Sequence, residues 1–344
     1  MPSINLSWLE SLTDDTGILQ HAKFSIANRK EGYTTDDNAR ALVAVLKHYD
    51  LEGKKSVLQF AESYLSFLLY MQRDDGNFHN FLGYNRSFLD DMGSHDSLGR
   101  VLWATGYTQN INTSDDFRSA AKEIFDKALV WALKSDSPRT QAFAILGLHH
   151  YAKAFPKDEN PPLNISILAD QLCERYRRES KDSWCWFESY LTYANPRLPQ
   201  ALFMAYQTTE KEEYLTIAKK TLDFLAEMDI VQGLFQPVGN RVWHVRGQER
   251  EIYDQQPIEA SCMVEAAITA FRVTRQERYL EMAHTAFDWF MGRNSKGVMV
   301  YNPTTGGCYD GITPEGVNRN QGAEAGLSFL LARLEMETLS KRTH

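Results

Sequence analysis

Cysteine is scarce in this 344-residue chain, basic runs and long apolar runs are missing, and almost nothing in it has the alternation of a strand. Cys173, Cys185, Cys262 and Cys308 show neither CxxC nor metal-finger spacing, which leaves no disulfide or zinc framework and makes them reduced structural thiols. No stretch approaches about eighteen uninterrupted apolar residues, so no membrane span is expected. Met1-Pro2-Ser3-Ile4-Asn5-Leu6 lacks the basic-then-apolar order of a secretory leader, and the expected location is cytoplasmic. A formal charge of −8 without a basic helix face argues against nucleic acid or an anionic membrane as partner. The histidines are dispersed, with no HExxH and no close His/carboxylate triad, so no metal is expected. GxGxxG, P-loop and GxSxG patterns are missing as well, which removes motif support for a nucleotide cofactor or a common esterase; no cofactor is expected.

What remains is helix after helix. Apolar spacing predicts helices over 6–12 and 18–22, then one from the Thr34-Thr35-Asp36-Asp37 start to Tyr49, followed by 54–71, 94–106, 115–133, one opening at Pro138 and one after Pro161-Pro162. Further helices are expected over 195–206, 211–228, 254–273, 277–291 and 318–339. The only strand signal is a hairpin joining 234–236 to 242–244 around Gly239-Asn240. Helices beginning near residues 36, 95, 138, 195, 254 and 318 are rich in small residues, apolar around much of their circumference, and open with polar clusters. Those between them are amphipathic and rich in Lys and Glu. This alternation gives a quasi-repeat of roughly 45 to 65 residues, one helical hairpin each. The expected fold is all-α, an (α/α)6 toroid with a short β-hairpin in a loop, forming a single catalytic domain over 1–344.

In such a toroid the inner helices open toward one end, so their polar N-terminal turns should converge there. Asp36, Asp37, Asn38 and Arg40 come from the first, His95, Asp96 and Arg100 from the second, Arg197 from the fourth, Asp254 and Gln256 from the fifth, and Asn320 and Glu324 from the sixth. The preceding loops add Asn77 to Phe81, then Trp184-Cys185-Trp186-Phe187-Glu188-Ser189-Tyr190, Trp243-His244 and Tyr309-Asp310. Aromatic rings stack on the C–H faces of a sugar while planar polar groups bind its hydroxyls, so the expected partner is an oligosaccharide. The carboxylates supply the minimum for glycosidic cleavage, one to protonate the leaving oxygen and one to activate water or attack the anomeric carbon. Candidate catalytic residues are Asp36, Asp37, Asp96, Glu188 and Asp254. Candidate substrate-binding residues are Asn38, Arg40, His95, Arg100, Trp186, Tyr190, Arg197, Trp243, His244, Gln256, Tyr309, Asp310, Asn320 and Glu324. Arg40 and Arg100 could keep one carboxylate ionised while burial raises another. Alone, two aspartates at a helix start serve only the helix dipole, and single aromatics fill core.

Five motifs in fixed order carry a resemblance. Gly32 to Leu42, Ser94 to Ala104, Trp186 to Asn195, Asp254 to Ala260 and Asn318 to Glu324 resemble bacterial proteins of the six-hairpin glycosidase superfamily, often described as glycosidase-like or glycosyltransferase-associated. The resemblance implies an (α/α)6 barrel acting on a manno- or gluco-configured oligosaccharide. The adjacent aspartates also look like those of bacterial endo-α-1,6-mannanases on that fold. Where the group more often has Glu-Asp after Ser94, this chain has His95-Asp96, and where it often has an acidic residue after Glu188, this chain has Ser189; Asp96 and Glu188 are therefore the stronger candidates. The leading expectation is a glycoside hydrolase using Asp37 with a carboxylate from across the ring. The alternatives are a sugar 2-epimerase or isomerase, for which His79, His95 and His244 are available as bases, and a non-catalytic glycan-binding module.

Overall fold

The computed structural model describes residues 1–342, with side chains through Leu339. Twelve α-helices occupy the described residues: α1 (Ser7–Leu12), α2 (Thr35–Glu52), α3 (Leu58–Met71), α4 (His95–Gln109), α5 (Asp115–Leu133), α6 (Pro138–Ala154), α7 (Asn160–Glu179), α8 (Arg197–Thr209), α9 (Glu212–Asp229), α10 (Pro257–Thr274), α11 (Glu277–Asp288) and α12 (Ala323–Arg342). Local chemistry sets many of the starts. Thr34, Ser94, Ser114 and Ser137 each hold extended backbone and accept a hydrogen bond from an amide of the first turn, satisfying a donor that the helix itself leaves orphaned. At the other end of α2, Gly53 takes the left-handed conformation with φ 68°, which a side chain would resist. No described helix is long and apolar enough to cross a membrane.

The chain divides into two compact units, one of Leu9–Ala22 and Ile26–Ala169, the other of Met1–Trp8, Lys23–Ser25 and the residues from Asp170 onward. In the first, α4 packs against both α2 and α6, and all three are buried around most of their circumference, while α3 and α5 cover them with one apolar face each. Glycine makes the α4–α6 approach possible: a Cβ on Gly147 would lie 2.2 Å from the Leu102 carbonyl oxygen, and one on Gly106 2.3 Å from that of Gly147. In the second unit, α10 packs against α8, α11 and α12, and α9 against α8. Trp8 seals α12, its indole N–H donating to the Gln321 carbonyl at 3.0 Å and its ring filling the space a side chain at Gly326 would need.

The alternation of all-round-buried and amphipathic helices runs as expected, but several local readings need correction. Residues 18–22 are not helical: Ile18 bridges Thr13 and Leu19 bridges Tyr33, because Asn38 binds the Ile18 backbone and holds this segment extended. The expected hairpin does not pair with itself. Leu234–Phe235 pairs with Ile230–Val231 across a tight turn, and His244–Val245 pairs with Tyr190–Leu191, satisfying the loop ahead of α8. The helices expected from 254 and 318 begin at Pro257 and Ala323 instead, since 311–313 pairs with 316–318 and Gln255 bridges Ile312. His149 on α6 is buried.

Candidate functional site

In the first unit the polar starts of α2 and α4 meet in an ion cluster. Asp36, the second residue of α2, accepts from Arg40 Nη2 at 2.6 Å through one carboxylate oxygen and from Arg100 Nη1 at 2.6 Å through the other. Both guanidinium groups are buried, whereas the Asp36 side chain keeps 21% exposure, so solvent reaches the carboxylate and not its two partners. Burial pushes the Asp36 carboxyl up, but Arg100 and Arg40 outweigh it and hold the group below the usual carboxylate range. Asp96 stands one helical turn before Arg100, 3.6 Å from its Nη1, at the rim. Arg100 also lies over the Phe143 ring at 5.0 Å, which fixes the guanidinium from behind. His95 faces Ser135, Nδ1 to Oγ 3.1 Å, and its carbonyl accepts from Thr140, so the start of α6 is tied to that of α4.

Asp37 sits differently. Its oxygens accept from Thr34 Oγ1 at 2.7 Å and Arg40 Nη2 at 2.8 Å, and its amide donates to Thr34 Oγ1, a reciprocal cap at the helix start. Asn38 is fully buried, accepting from the Ile18 amide at 3.0 Å and donating to the Thr34 carbonyl at 2.8 Å.

In the second unit Arg197, at the start of α8, donates to Gln200 Oε1 at 2.7 Å and to Glu265 Oε1 at 2.6 Å on α10. Glu259, in the first turn of α10, accepts from the Ala194 amide and from Asn195 Nδ2, bracing the turn ahead of α8 where Ala194 takes φ 50°. Asp254 lies in the loop before α10, its carboxylate 3.4 Å from Arg241 at the surface. Glu188 is buried in the loop 185–189, where its carbonyl accepts from the Trp184 indole. Tyr190 and Trp243 keep exposed rings, and Trp243 lies 6.1 Å from the Tyr193 ring. His244 is buried against Trp184, and burial followed by the Arg250 charge lowers its pKa. Asp310 accepts from the Gly322 amide at 2.7 Å and Asn320 from the Phe24 amide at 2.9 Å; Tyr309, Gln256 and Glu324 are half-buried.

No family model and no curated sequence matches the chain. Solved structures do. The cellobiose 2-epimerase of Bacillus thermoamylovorans superposes with a TM-score of 0.75 at 14% identity, covering 98% of this chain and 96% of that one. A D-mannose isomerase gives 0.74 at 13% identity, with 97% and 96% covered. An inactive variant of the alpha-1,6-mannanase of Salegentibacter sp., with two consecutive aspartates changed to alanine and in complex with alpha-1,6-mannotetrose, gives 0.64 at 12% identity, with 97% and 96% covered. The fold the chain shares with these structures is an (α/α)6 barrel.

Within the first unit, Asp36, Asp37, Arg40, Arg100 and Asp96 come together as one cluster. Three assignments made from sequence do not suit direct contact with a sugar. Trp186 is 0% exposed, packed against Phe187 and Phe224, so no face of its ring is open to stack. Asn38 spends its amide on the backbone of Ile18 and Thr34, and Arg197 lies buried on Glu265. Glu265 escaped the sequence reading. Its only trace is a lone carboxylate inside the small-residue run Ala260 to Ala267, a place that a charge occupies only with a partner.

Proposed function

We propose that this chain is a glycoside hydrolase acting on a short, manno- or gluco-configured oligosaccharide, with Asp36 as the ionised carboxylate of the pair. One observation carries the reading: Asp36 is clamped by two buried arginines yet remains partly open to solvent. Such a group is unprotonated at neutral pH, which suits it to activate water or attack an anomeric carbon and unsuits it to donate a proton. The proton must come from another carboxyl; Asp96, which lies in the same unit 3.6 Å from Arg100, is the candidate. Asp37, the earlier favourite, is turned into the start of its own helix and positions Arg40. The inactive mannanase variant supports the reading, since consecutive aspartates are the residues removed there.

A second reading, a sugar 2-epimerase or isomerase, draws on the higher TM-scores of the epimerase and isomerase structures and on exposed His95 beside Asp96. One experiment separates them. The protein is incubated in D2O with alpha-1,6-mannotetraose and with cellobiose, and both reducing ends and deuterium at C2 are counted. Hydrolysis raises the number of reducing ends without labelling C2, and Asp36→Asn abolishes it. Labelling of C2 at constant reducing ends, lost in His95→Asn, would replace the hydrolase by the epimerase.

A further inference from the structure

The loop between α3 and α4 carries apolar side chains that the folded chain leaves in solvent. Phe81 is 40% exposed and Leu89 62%, although both lie on paired backbone rather than on a free tip. Thr34 pairs with Phe81 and Tyr33 with Leu82, while Leu82 bridges Phe88 and the Leu89 amide donates to the Phe81 carbonyl. Directly paired residues project from the same face of a sheet, with Cβ atoms about 5 Å apart. Thr34, Phe81 and Leu89 therefore form one row on one face, and Tyr33 and Leu82 turn the other way into the core. The Thr34 end of that row is occupied: its hydroxyl donates to Asp37, whose other oxygen shares Arg40 with Asp36.

The row is also held in place. Both Asp90 oxygens are used, one accepting from the Asn80 amide at 2.8 Å and the other from the Phe81 amide at 2.8 Å, while Thr35 Oγ1 donates to the His79 carbonyl at 2.6 Å. A fold that merely tolerated an apolar loop has no need to pin it at both ends beside the head of α2.

We infer that Phe81, with Leu89 beside it, is the apolar floor on which a pyranose ring of the substrate stacks next to the Asp36 cluster. This rests on the proposed action on an oligosaccharide and adds a specificity-determining residue to it. A pyranose presents a C–H face to an aromatic plane and its hydroxyls to the flanking carboxylates and guanidinium groups, so a ring beside a charged cluster matches both sides of a sugar.

The test compares wild type, Phe81→Ala, Phe81→Tyr, Phe81→Leu and Asp36→Asn by calorimetric binding and turnover of alpha-1,6-mannotetraose and cellobiose, with melting curves to verify folding. Removing the ring should weaken binding and raise KM by about ten-fold, the scale of one aromatic contact, with kcat changed far less. Phe81→Tyr should restore wild-type affinity and Phe81→Leu should not, because area without a plane does not stack. Unchanged affinity in Phe81→Ala, alongside lost turnover in Asp36→Asn, overturns the stacking floor and leaves the hydrolase reading standing. No binding or turnover of either sugar by the wild type overturns both.

Discussion

Replacing Arg100 with Met tests whether the Asp36 cluster is one coupled unit. Arg100 is buried, donates to Asp36 at 2.6 Å, lies 3.6 Å from Asp96 and stacks over Phe143. Methionine keeps most of the volume against Phe143 but removes the charge, leaving Asp36 with Arg40 alone. Breaking a buried pair costs about 3–5 kcal/mol, and because Arg40 still binds the other oxygen, the lower end, about 3 kcal/mol, is expected here. Asp36→Asn alone should cost no more than that, since Arg40 then keeps Asp37 at 2.8 Å and Arg100 keeps Asp96 at 3.6 Å. Together the two changes should cost less than their sum, by at least about 1.5 kcal/mol, because the second removes a charge the first has already stranded. Urea unfolding followed by circular dichroism at pH 7 gives all four free energies. Additivity within about 0.5 kcal/mol would mean the two residues do not interact in solution and would refute the clamp. The pH dependence supplies the sign: the folded-state pKa of Asp36 is depressed, so its contribution is present above the unfolded carboxylate value of about 4 and is lost as pH falls through the lower folded value. Arg100→Met should therefore lose less stability than wild type on acidification.

Further expectations concern the scaffold. Gly147→Ala brings a methyl group to 2.2 Å from the Leu102 carbonyl oxygen, backbone that cannot rotate away, so α4 and α6 must separate; a loss of about 1–3 kcal/mol is expected in thermal unfolding, and an unchanged midpoint would deny the close approach. Arg197→Met strands Glu265 and should cost about 3–5 kcal/mol, whereas Arg197→Met with Glu265→Met should recover much of it. If the double variant is no more stable than the single one in urea, the pair is not the reason for the loss.

How much of this was legible in the sequence depends on how local the cause is. The small-residue helices declared themselves because glycine and alanine at helical spacing have one strong physical use, close packing, which Gly106 and Gly147 fulfil. The Asp36 cluster was legible because three of its members lie within one turn of α2 and Arg100 within the next motif. Pairings over long separations left no such trace. His244 finds Tyr190–Leu191 rather than its sequence neighbours, and Gln255 finds Ile312, so the hairpin and two helix starts were misplaced. Side-chain direction was equally hidden: Trp186 and Tyr190 are four residues apart in one aromatic loop, yet one fills the core and the other faces solvent.

The double clamp also bears on what turnover should look like. A carboxylate that must be ionised to react sets the acid limb of kcat/KM, and for Asp36 that limb lies below the ordinary carboxylate range because Arg100 and Arg40 outweigh burial. Removing Arg100 leaves the burial intact and takes away one of the two opposing charges, so the acid limb must move to higher pH. The basic limb belongs to the proton donor, and if that donor is Asp96, 3.6 Å from Arg100, it moves upward too. An acid limb displaced to higher pH is what Asp36 as base requires. The pH profile of Arg100→Met on a cleaved oligosaccharide thus tests whether the clamped carboxylate titrates in turnover. A profile displaced in neither limb would make Asp36 a structural ion and reopen the catalytic question.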